Sequence, residues 1–449
     1  MFKESGPQAA DVSLYLHAEL LPNIRQITLY VSLPQTPAVE GIRPVITLSE
    51  SCKSVTVSLP GPLDHVTETI KLPARVTDAT RRSLNINTAA TSVPGPRQLT
   101  GSSHDYSVRM QIDASDPALA PRDELMDDYV PWTAADMSSA TRIRCRECGT
   151  CFLIESGYDG IPEQGDRKGS LGWIWKDLPS GNWAEMMDFW HCHKPDPHED
   201  DAESEATTAH RLEDQNAQIK GYGASNRVEA IAGTVLIDVA TFLLSESDCV
   251  NLKKGNEEEM RTNPKVSAQR TLDCVKCNAI VGMEDPSANG WRLLKANVSL
   301  NTRTSSLDKG EEQWQTHPAQ IIVAAQLLEL IERESARRFV VHCGQKSGLL
   351  LWVFNPDLRY SNSSIGHSVN AQPAMKVFFQ ETGDVDKLLA PEIGNPSPLS
   401  VEELELPSMI YDTLSDALRG SNQMLPPTAR RFNEWHVGLL NRFSRTQAA

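Results

Sequence analysis

The first 115 residues place short apolar or alternating stretches between clusters of proline, glycine and polar residues. Stretches bounded in this way are typical of β-strands. The predicted strands are Ser13 to Leu21, Gln26 to Leu33, Val45 to Leu48, Val55 to Leu59, Thr67 to Leu72 and Tyr106 to Ile112. Their regular spacing predicts an N-terminal antiparallel β domain, a sandwich or a barrel, over residues 1–115. A polar stretch at 76–104 predicts a long loop.

The last part of the chain, residues 311–449, mixes helical and strand periods. One apolar face along 318–338 predicts an amphipathic helix. Strands are predicted at Phe339 to Cys343, Leu349 to Phe354 and Met375 to Gln380, and a helix at Ser408 to Leu418. Phe432, Trp435, Leu439 and Phe443 fall at helical spacing and predict a last helix with an aromatic stripe. This region is therefore predicted to be α+β, and the whole chain β-rich α+β.

The middle of the chain begins with an acidic connector at 116–143, which is typical of a solvated surface. Four of the nine tryptophans lie between Gly172 and His193. Asn182 and Glu185 have the spacing of a capping box, which predicts a helix. Its aromatic face is typical either of a core or of a partner surface. Residues 194–228 are acidic and poor in apolar residues, which predicts a disordered insertion. The apolar segment Val228 to Leu244 is either strand or buried helix.

The composition of the chain makes some binding partners and some cellular compartments more plausible than others. The chain has 449 residues, a net charge of −16 and a pI of about 5.2, and this charge disfavours nucleic acid and anionic membranes as partners. Neither a signal peptide nor an apolar run of membrane-spanning length is recognisable. Nine cysteines in so long a chain fit a reducing compartment, so we expect a cytoplasmic and nuclear protein with protein partners.

Two Cys-x-x-Cys pairs carry the clearest chemistry. They are Cys145 with Cys148, and Cys274 with Cys277, and 125 residues lie between them. Each pair can aim two thiolates at one ion, and together they predict a tetrahedral four-thiolate structural zinc site. A redox dithiol and two unrelated thiol turns are the alternatives.

Other thiols are candidates for nucleophilic chemistry. Cys192 stands between His191 and His193. These residues could bind a second zinc ion together with Cys151, or they could be buried and inert. Alternatively, Cys192 could be a nucleophile whose pKa is tuned by the two imidazoles. Cys343, preceded by His342, is the second candidate thiol, although its apolar surroundings are typical of a core cysteine.

A hairpin is predicted after the second cysteine pair, where two apolar runs flank a polar turn in Ala279-Ile280-Val281-Gly282 and Gly290-Trp291-Arg292-Leu293-Leu294-Lys295. This pattern resembles the zinc-bearing β-tent domains of the Yippee, Mis18 and cereblon type, and so predicts a β-tent-like zinc domain over 144–310. The order of motifs also resembles the HECT-like E3 ubiquitin ligases that bind ubiquitin-conjugating enzymes. The matching segments are the two cysteine pairs, Leu178-Pro179-Ser180 with Trp183, Trp190 to Pro195, and Leu351 to Asn355.

The resemblance implies an E3 ubiquitin-protein ligase with a conjugating enzyme, ubiquitin and protein substrates as partners. It also implies a link to the endonuclease of pre-mRNA 3′-end processing. The chain lacks the C-terminal cysteine signature of HECT ligases, since Cys343 lies 106 residues before the C-terminus. Covalent transfer through a thiol and transfer by proximity both stay open, as does a non-catalytic, chaperone-like adaptor. A zinc hydrolase is disfavoured because four thiolates leave no position for water.

Overall fold

The structure is a computed structural model that describes residues 14–33, 42–61, 63–89, 104–116, 126–154, 172–178, 228–255, 270–301, 313–364, 370–389 and 401–445. Among these residues no helix is both long and apolar enough to cross a bilayer. The predicted helix that starts at Asn182 and the predicted insertion at 194–228, apart from its last residue, lie outside the described residues.

Strands predominate in the described part of the chain. The helices are α1 Asp78–Ala89, α2 Met126–Tyr129, α3 Ala319–Glu334, α4 Val385–Leu389 and α5 Ser408–Met424. The strands in the first part are β1 Tyr15–Leu21, β2 Gln26–Ser32, β3 Val45–Leu48, β4 Ser54–Ser58, β5 Thr67–Lys71, β6 Asp105–Gln111, β7 Arg142–Cys145 and β8 Ile174–Asp177. Those in the middle are β9 Thr234–Ile237, β10 Thr241–Leu244, β11 Leu252–Lys254, β12 Thr271–Cys274, β13 Ile280–Asp285, β14 Gly290–Leu294 and β15 Val298–Asn301. The last are β16 Arg338–His342, β17 Gly348–Asn362, β18 Gln372–Thr382, β19 Glu402–Glu405, β20 Arg431–Phe432 and β21 Trp435–Asn441.

The chain forms two compact units, and each combines segments that are distant in sequence. The first unit contains Met1–Glu124, Leu349–Thr382 and Ser415–Arg442. The second contains Leu125–Gly348, Gly383–Leu414 and Phe443–Ala449. These boundaries differ from the predicted sequential ones near residues 115, 143 and 310, because the C-terminal strands β17, β18 and β21 belong with the N-terminal strands.

The first unit contains a sheet in the order β20-β21-β18-β17-β1-β2-β6 and a three-stranded sheet β3-β4-β5. The predicted N-terminal strands are present, and β1 pairs antiparallel with both β2 and β17. Every second residue of β1 and β2 is apolar and belongs to one buried core, which also includes residues of β4 and β5. This core explains the alternating pattern in the sequence, because each sheet has one apolar face.

Two predictions in this unit were wrong. Residues 76–104 contain the helix α1, not only a loop. The aromatic stripe that starts at Phe432 is not helical, because β20 and β21 form a hairpin there. Trp435, Val437 and Leu439 alternate along β21 and face one apolar cluster. Spacings of three and four residues fit a helix, but every second residue in this segment is also apolar. The segment forms a strand because it pairs with the neighbouring strand β18.

An ion pair is buried in the same sheet. Glu19 of β1 is 1% exposed and accepts hydrogen bonds from Nζ of Lys376 on β18, at 3.0 and 2.7 Å. Burial alone would raise the pKa of the Glu19 carboxyl, but the charge of Lys376 and the contact with His17 together lower it to about 2. The carboxylate is therefore charged at neutral pH and held by its partners.

The second unit contains a sheet in the order β11-β12-β13-β14-β10-β9-β8, the pair β7 and β15, and the parallel pair β16 and β19. The apolar segment Val228 to Leu244, left open between strand and helix, forms the strands β9 and β10. The predicted connector at 116–143 is not simply solvated surface, since Tyr129, Val130 and Trp132 are each 2% exposed. Trp132 joins the core of this unit.

The predicted hairpin is β13 and β14, and its motif has a physical explanation. A Cβ atom at Gly282 would collide with the backbone carbonyl oxygen of Arg292 on the paired strand, so glycine is required there. The Arg292 guanidinium binds Asp285 within the hairpin and Asp238 before β10, at 2.6 and 2.7 Å. These contacts hold the β13–β14 hairpin against the residues that precede β10.

Candidate metal centre

The two cysteine pairs fold into matching turns. Strand β7 ends at Cys145 and β12 ends at Cys274, and each turn closes by a backbone hydrogen bond to the first cysteine. Gly149 donates to the carbonyl of Cys145 at 3.0 Å, and Asn278 donates to that of Cys274 at 2.9 Å. Gly149 and Asn278 have φ values of 73° and 57°, the left-handed region that these residue types tolerate. The two turns thus present their thiols in the same way.

The structure brings the four predicted thiols together. All four Sγ atoms lie within 4.8 Å of one another. The Cys145 and Cys277 sulfurs are 3.6 Å apart, and those of Cys148 and Cys274 are 3.5 Å apart. A tetrahedral zinc with Zn–S distances of about 2.3 Å needs sulfurs about 3.8 Å apart. The donor set therefore fits a structural zinc ion, with no other metal-binding residue type in the group.

The electrostatics of the centre favour a bound cation. Burial raises the pKa of the Cys145 thiol to about 12, so without a cation its thiolate is costly. The Thr150 hydroxyl, 3.2 Å from the Cys148 sulfur, lowers the pKa of that thiol to about 6. A divalent ion stabilises all four thiolates, so its binding becomes folding free energy for the strands that carry them.

A short segment, Cys249 to Lys254, connects the two turns. Asn251 donates its side-chain amide to the carbonyl of Cys151 beyond the first turn, at 2.9 Å. Its own carbonyl accepts a hydrogen bond from Val275 in the second turn, also at 2.9 Å. Lys253 donates to the Asn278 side chain at 2.6 Å. The local sequence gives no sign of this role, because an asparagine with left-handed backbone has no recognisable sequence pattern.

We expect Asn251→Ala to loosen the metal centre. The substitution removes the amide and strains a residue whose φ is 60°, which together cost about 1–2 kcal/mol. Zinc release to a chromogenic chelator should become several times faster. Asn251→Gly is the matched control, because it keeps the backbone conformation and loses only the amide. Equal release rates for the alanine variant and the unaltered protein would contradict this role of Asn251.

The first turn is also anchored to the residues that follow β14 and to those that precede α3. The Arg146 guanidinium donates to the carbonyls of Ala296 and His317, each at 2.8 Å. The adjacent Lys295 is completely buried, and its ammonium donates to the carbonyls of Pro131 and Trp132 at 2.9 and 3.2 Å. Burial lowers the pKa of Lys295 to about 8. Lys295, which belongs to the predicted hairpin motif, thus holds in place the segment at 116–143 that was predicted to be an acidic connector.

The two predicted nucleophiles differ in what the structure describes. Cys192, with its neighbours His191 and His193, lies outside the described residues. Cys343 is 7% exposed. The adjacent His342 accepts a hydrogen bond from the backbone N–H of Gly344 at 3.0 Å and contacts Glu403 through Nε2 at 2.7 Å. Both ring nitrogens are therefore engaged, and His342 is not placed as a proton acceptor for Cys343.

The chain resembles one protein family along most of its length. The family described as HECT-like ubiquitin-conjugating enzyme (E2)-binding matches residues 19–437. The chain belongs to this family. The match begins within β1 and ends within β21, so it includes both cysteine pairs of the metal centre and most of the sheet of the first unit.

Relatives of this E2-binding family member occur in fungi and mammals. An uncharacterised protein of Schizosaccharomyces pombe is 25% identical, over 75% of this chain and 83% of its own length. Two proteins of mouse and human that are named as E3 ubiquitin-protein ligases are 27% and 26% identical, each over 59% of this chain. The matches span 64% and 66% of those two ligases. No solved structure matches the chain.

Proposed function

We propose that the protein is an E3 ubiquitin-protein ligase, which binds a ubiquitin-charged conjugating enzyme and promotes transfer of ubiquitin to protein substrates. The family match over residues 19–437 carries this proposal. The relatives named as E3 ubiquitin-protein ligases support it. The sequence motifs of the resemblance and the assembled thiols agree with it.

The metal centre has a structural role in this proposal. Cys145, Cys148, Cys274 and Cys277 would hold the zinc ion, whose contribution is to join two distant segments. Four protein thiolates leave no position for a substrate. The ion would therefore hold the strands of the second unit together, and the chemistry would take place elsewhere.

Transfer can follow a covalent route. The Cys192 thiolate attacks the thioester carbonyl carbon of the charged enzyme, and the bond from that carbon to the enzyme's sulfur breaks. The departing sulfur takes up the proton that His193 accepted from Cys192. A substrate lysine then attacks the new thioester, and Cys192 leaves as the thiol. Cys343 is the second candidate for this role.

Transfer can also proceed without a thiol of this protein. Binding of the charged enzyme beside a substrate lysine raises the effective concentration of the amine, which alone accelerates aminolysis of the thioester. The engaged nitrogens of His342 favour this route over a covalent one through Cys343.

A non-catalytic adaptor is the alternative function. The observation in its favour is that the clustered thiols form a closed set suited to a metal. Such an adaptor would bind a partner, for which the endonuclease of pre-mRNA 3′-end processing is our candidate. None of the eight cysteines in the described residues is in a disulfide, and this agrees with the reducing compartment of our proposal of a cytoplasmic and nuclear protein.

Intact mass spectrometry separates these possibilities. The full chain is incubated with each of several ubiquitin-charged conjugating enzymes and analysed with and without reducing agent. The covalent route is expected to give a thiol-labile adduct heavier by one ubiquitin, which Cys192→Ser abolishes at unchanged zinc content. Cys343→Ser is the matched variant and should retain the adduct.

Two other outcomes are informative. Faster discharge of the charged enzyme to free lysine without an adduct would establish transfer by proximity. Absence of both the adduct and the faster discharge, with every conjugating enzyme tried, would reject the ligase and leave the adaptor.

A further inference from the structure

Five aromatic side chains lie together on one face of the large sheet of the first unit. Trp352 and Phe354 belong to β17, Phe378 to β18, Phe432 to β20 and Trp435 to β21. The Phe378 ring stacks on those of Phe354 and Phe432, with ring centroids 4.9 Å apart in both cases. The Trp352 ring meets Phe378 edge-on at 5.3 Å and Trp435 at 6.1 Å. We call these five residues the aromatic cluster.

The two ends of the phenylalanine stack are exposed. Phe354 is 49% and Phe432 is 46% exposed, whereas Phe378 between them is 3% exposed. Among the exposed large apolar side chains in the described part of the chain, these two are the only aromatic ones. A phenyl side chain that becomes buried removes about 150–250 Å² from water, so the two half-exposed rings together present about 200 Å². Exposed apolar surface that belongs to one cluster is typical of an interaction site, unlike single scattered residues.

The exposed rings are held in place by the sheet itself. Phe378 and Trp435 belong to a buried apolar cluster of this unit. Phe432 pairs directly with Trp435 across the β20–β21 hairpin, whose turn contains Asn433 in the left-handed conformation, with φ 53°. A partner therefore immobilises little that is mobile when it binds, and this keeps the entropic cost of association low. Well-ordered aromatic residues of this kind are typical hot spots of protein–protein interfaces.

Charge distinguishes the possible occupants of the aromatic cluster. A nucleic acid could stack bases on such rings, but the net charge of −16 repels its phosphates. A second copy of the chain carries the same charge, which opposes self-association. A different protein that offers apolar side chains is the occupant that fits. The family of this chain is described as E2-binding, and the matched residues 19–437 include the whole aromatic cluster.

We propose that the aromatic cluster is the docking surface for the ubiquitin-conjugating enzyme. Apolar side chains of that enzyme pack against the rings of Phe354 and Phe432, and the exposed Arg431 lies at the polar rim of the contact. The inference rests on the proposed function, since it names the surface through which the ligase holds its charged enzyme. Because all five residues belong to the first unit, this surface is separate from the four thiols of the second unit.

Biolayer interferometry with the full-length protein tests the docking surface. The probes are several conjugating enzymes, each joined to ubiquitin by a hydrolysis-resistant linkage. Replacement of both Phe354 and Phe432 by serine is expected to weaken binding about tenfold or more, because two hot-spot residues are truncated. Zinc content should not change. Ile24→Ser is the matched control, since Ile24 is 55% exposed in the same unit but lies outside the aromatic cluster, and should bind as the unaltered protein does.

The single variants Phe354→Ser and Phe432→Ser carry the test if circular dichroism shows that the double variant is unfolded. Each is expected to weaken binding about threefold or more. Unchanged affinity of both single variants for an enzyme that the unaltered protein binds would overturn the docking surface and leave the proposed function intact.

Two further outcomes would also overturn the proposal. If the unaltered protein bound none of the charged enzymes, the proposed function would fail together with its docking surface. If the unaltered chain formed a dimer in sedimentation experiments and the serine variants were monomeric, the aromatic cluster would be an interface between two copies.

Discussion

Replacement of Cys274 by serine is expected to release the metal and to unfold the second unit. Cys274 is fully buried at the end of β12, and its sulfur is one of four that face a common centre. Structural zinc sites contribute about 10–16 kcal/mol of apparent binding free energy, which is comparable with the roughly 5–15 kcal/mol net stability of a whole domain. Loss of one thiolate therefore removes enough free energy to unfold the strands around it. Elemental analysis and thermal denaturation measure the two effects.

Cys151→Ser is the matched control for this experiment. Cys151 lies three residues after Cys148 but is not a member of the four-thiol group. Its replacement should leave one zinc per chain and an unchanged melting temperature. A Cys274→Ser protein that retains a full equivalent of zinc and melts like the unaltered chain would show that the cluster is not a metal site.

Replacement of Lys376 by methionine is expected to cost about 3–5 kcal/mol of unfolding free energy at pH 7, because it leaves the Glu19 carboxylate buried without its cation. Urea denaturation of the full chain, followed by circular dichroism, measures this loss. The double variant Glu19→Gln with Lys376→Met removes both charges and should recover most of it. A single variant as stable as the unaltered protein would contradict the role of this pair.

The pH dependence of stability should change in a defined direction. In the unaltered chain the pKa of Glu19 is lowered from 4.5 to about 2, so its contribution is fully present above pH 4.5 and is lost as the pH falls towards 2. In the Lys376→Met variant, burial outweighs the remaining partner and the pKa should rise above 4.5. The destabilisation caused by the substitution should therefore shrink as the pH falls from 7 to 4.

The parts of the fold that follow from local sequence could be predicted. The alternation along β1 and β2 indicates strands because one face of each is apolar, and the period of two is visible within seven residues. The cysteine turns were predictable because Gly149 and Asn278 are residue types that tolerate the left-handed backbone required there. The four-thiol set followed, since each turn alone supplies half of a tetrahedron.

The parts that depend on distant partners could not be predicted. The strand β21 carries a pattern that fits a helix as well, and only its pairing with β18 decides between them. Asn251 is recognisable as a connecting residue only after both turns are in place. Lys295 is a charged side chain that the structure buries against two carbonyl oxygens contributed by Pro131 and Trp132. Its partners lie more than 160 residues earlier.

The pairing of β1 with β17 has a consequence during synthesis on the ribosome. The two strands lie on either side of roughly 330 residues, which take roughly 15 to 65 s to translate. Throughout this interval the nascent chain presents one unpaired edge of β1, next to the buried position of Glu19. An unpaired edge is a site for wrong pairing with other chains. Efficient production of this protein should therefore depend on ribosome-associated chaperones, and premature termination before β17 should give an insoluble fragment.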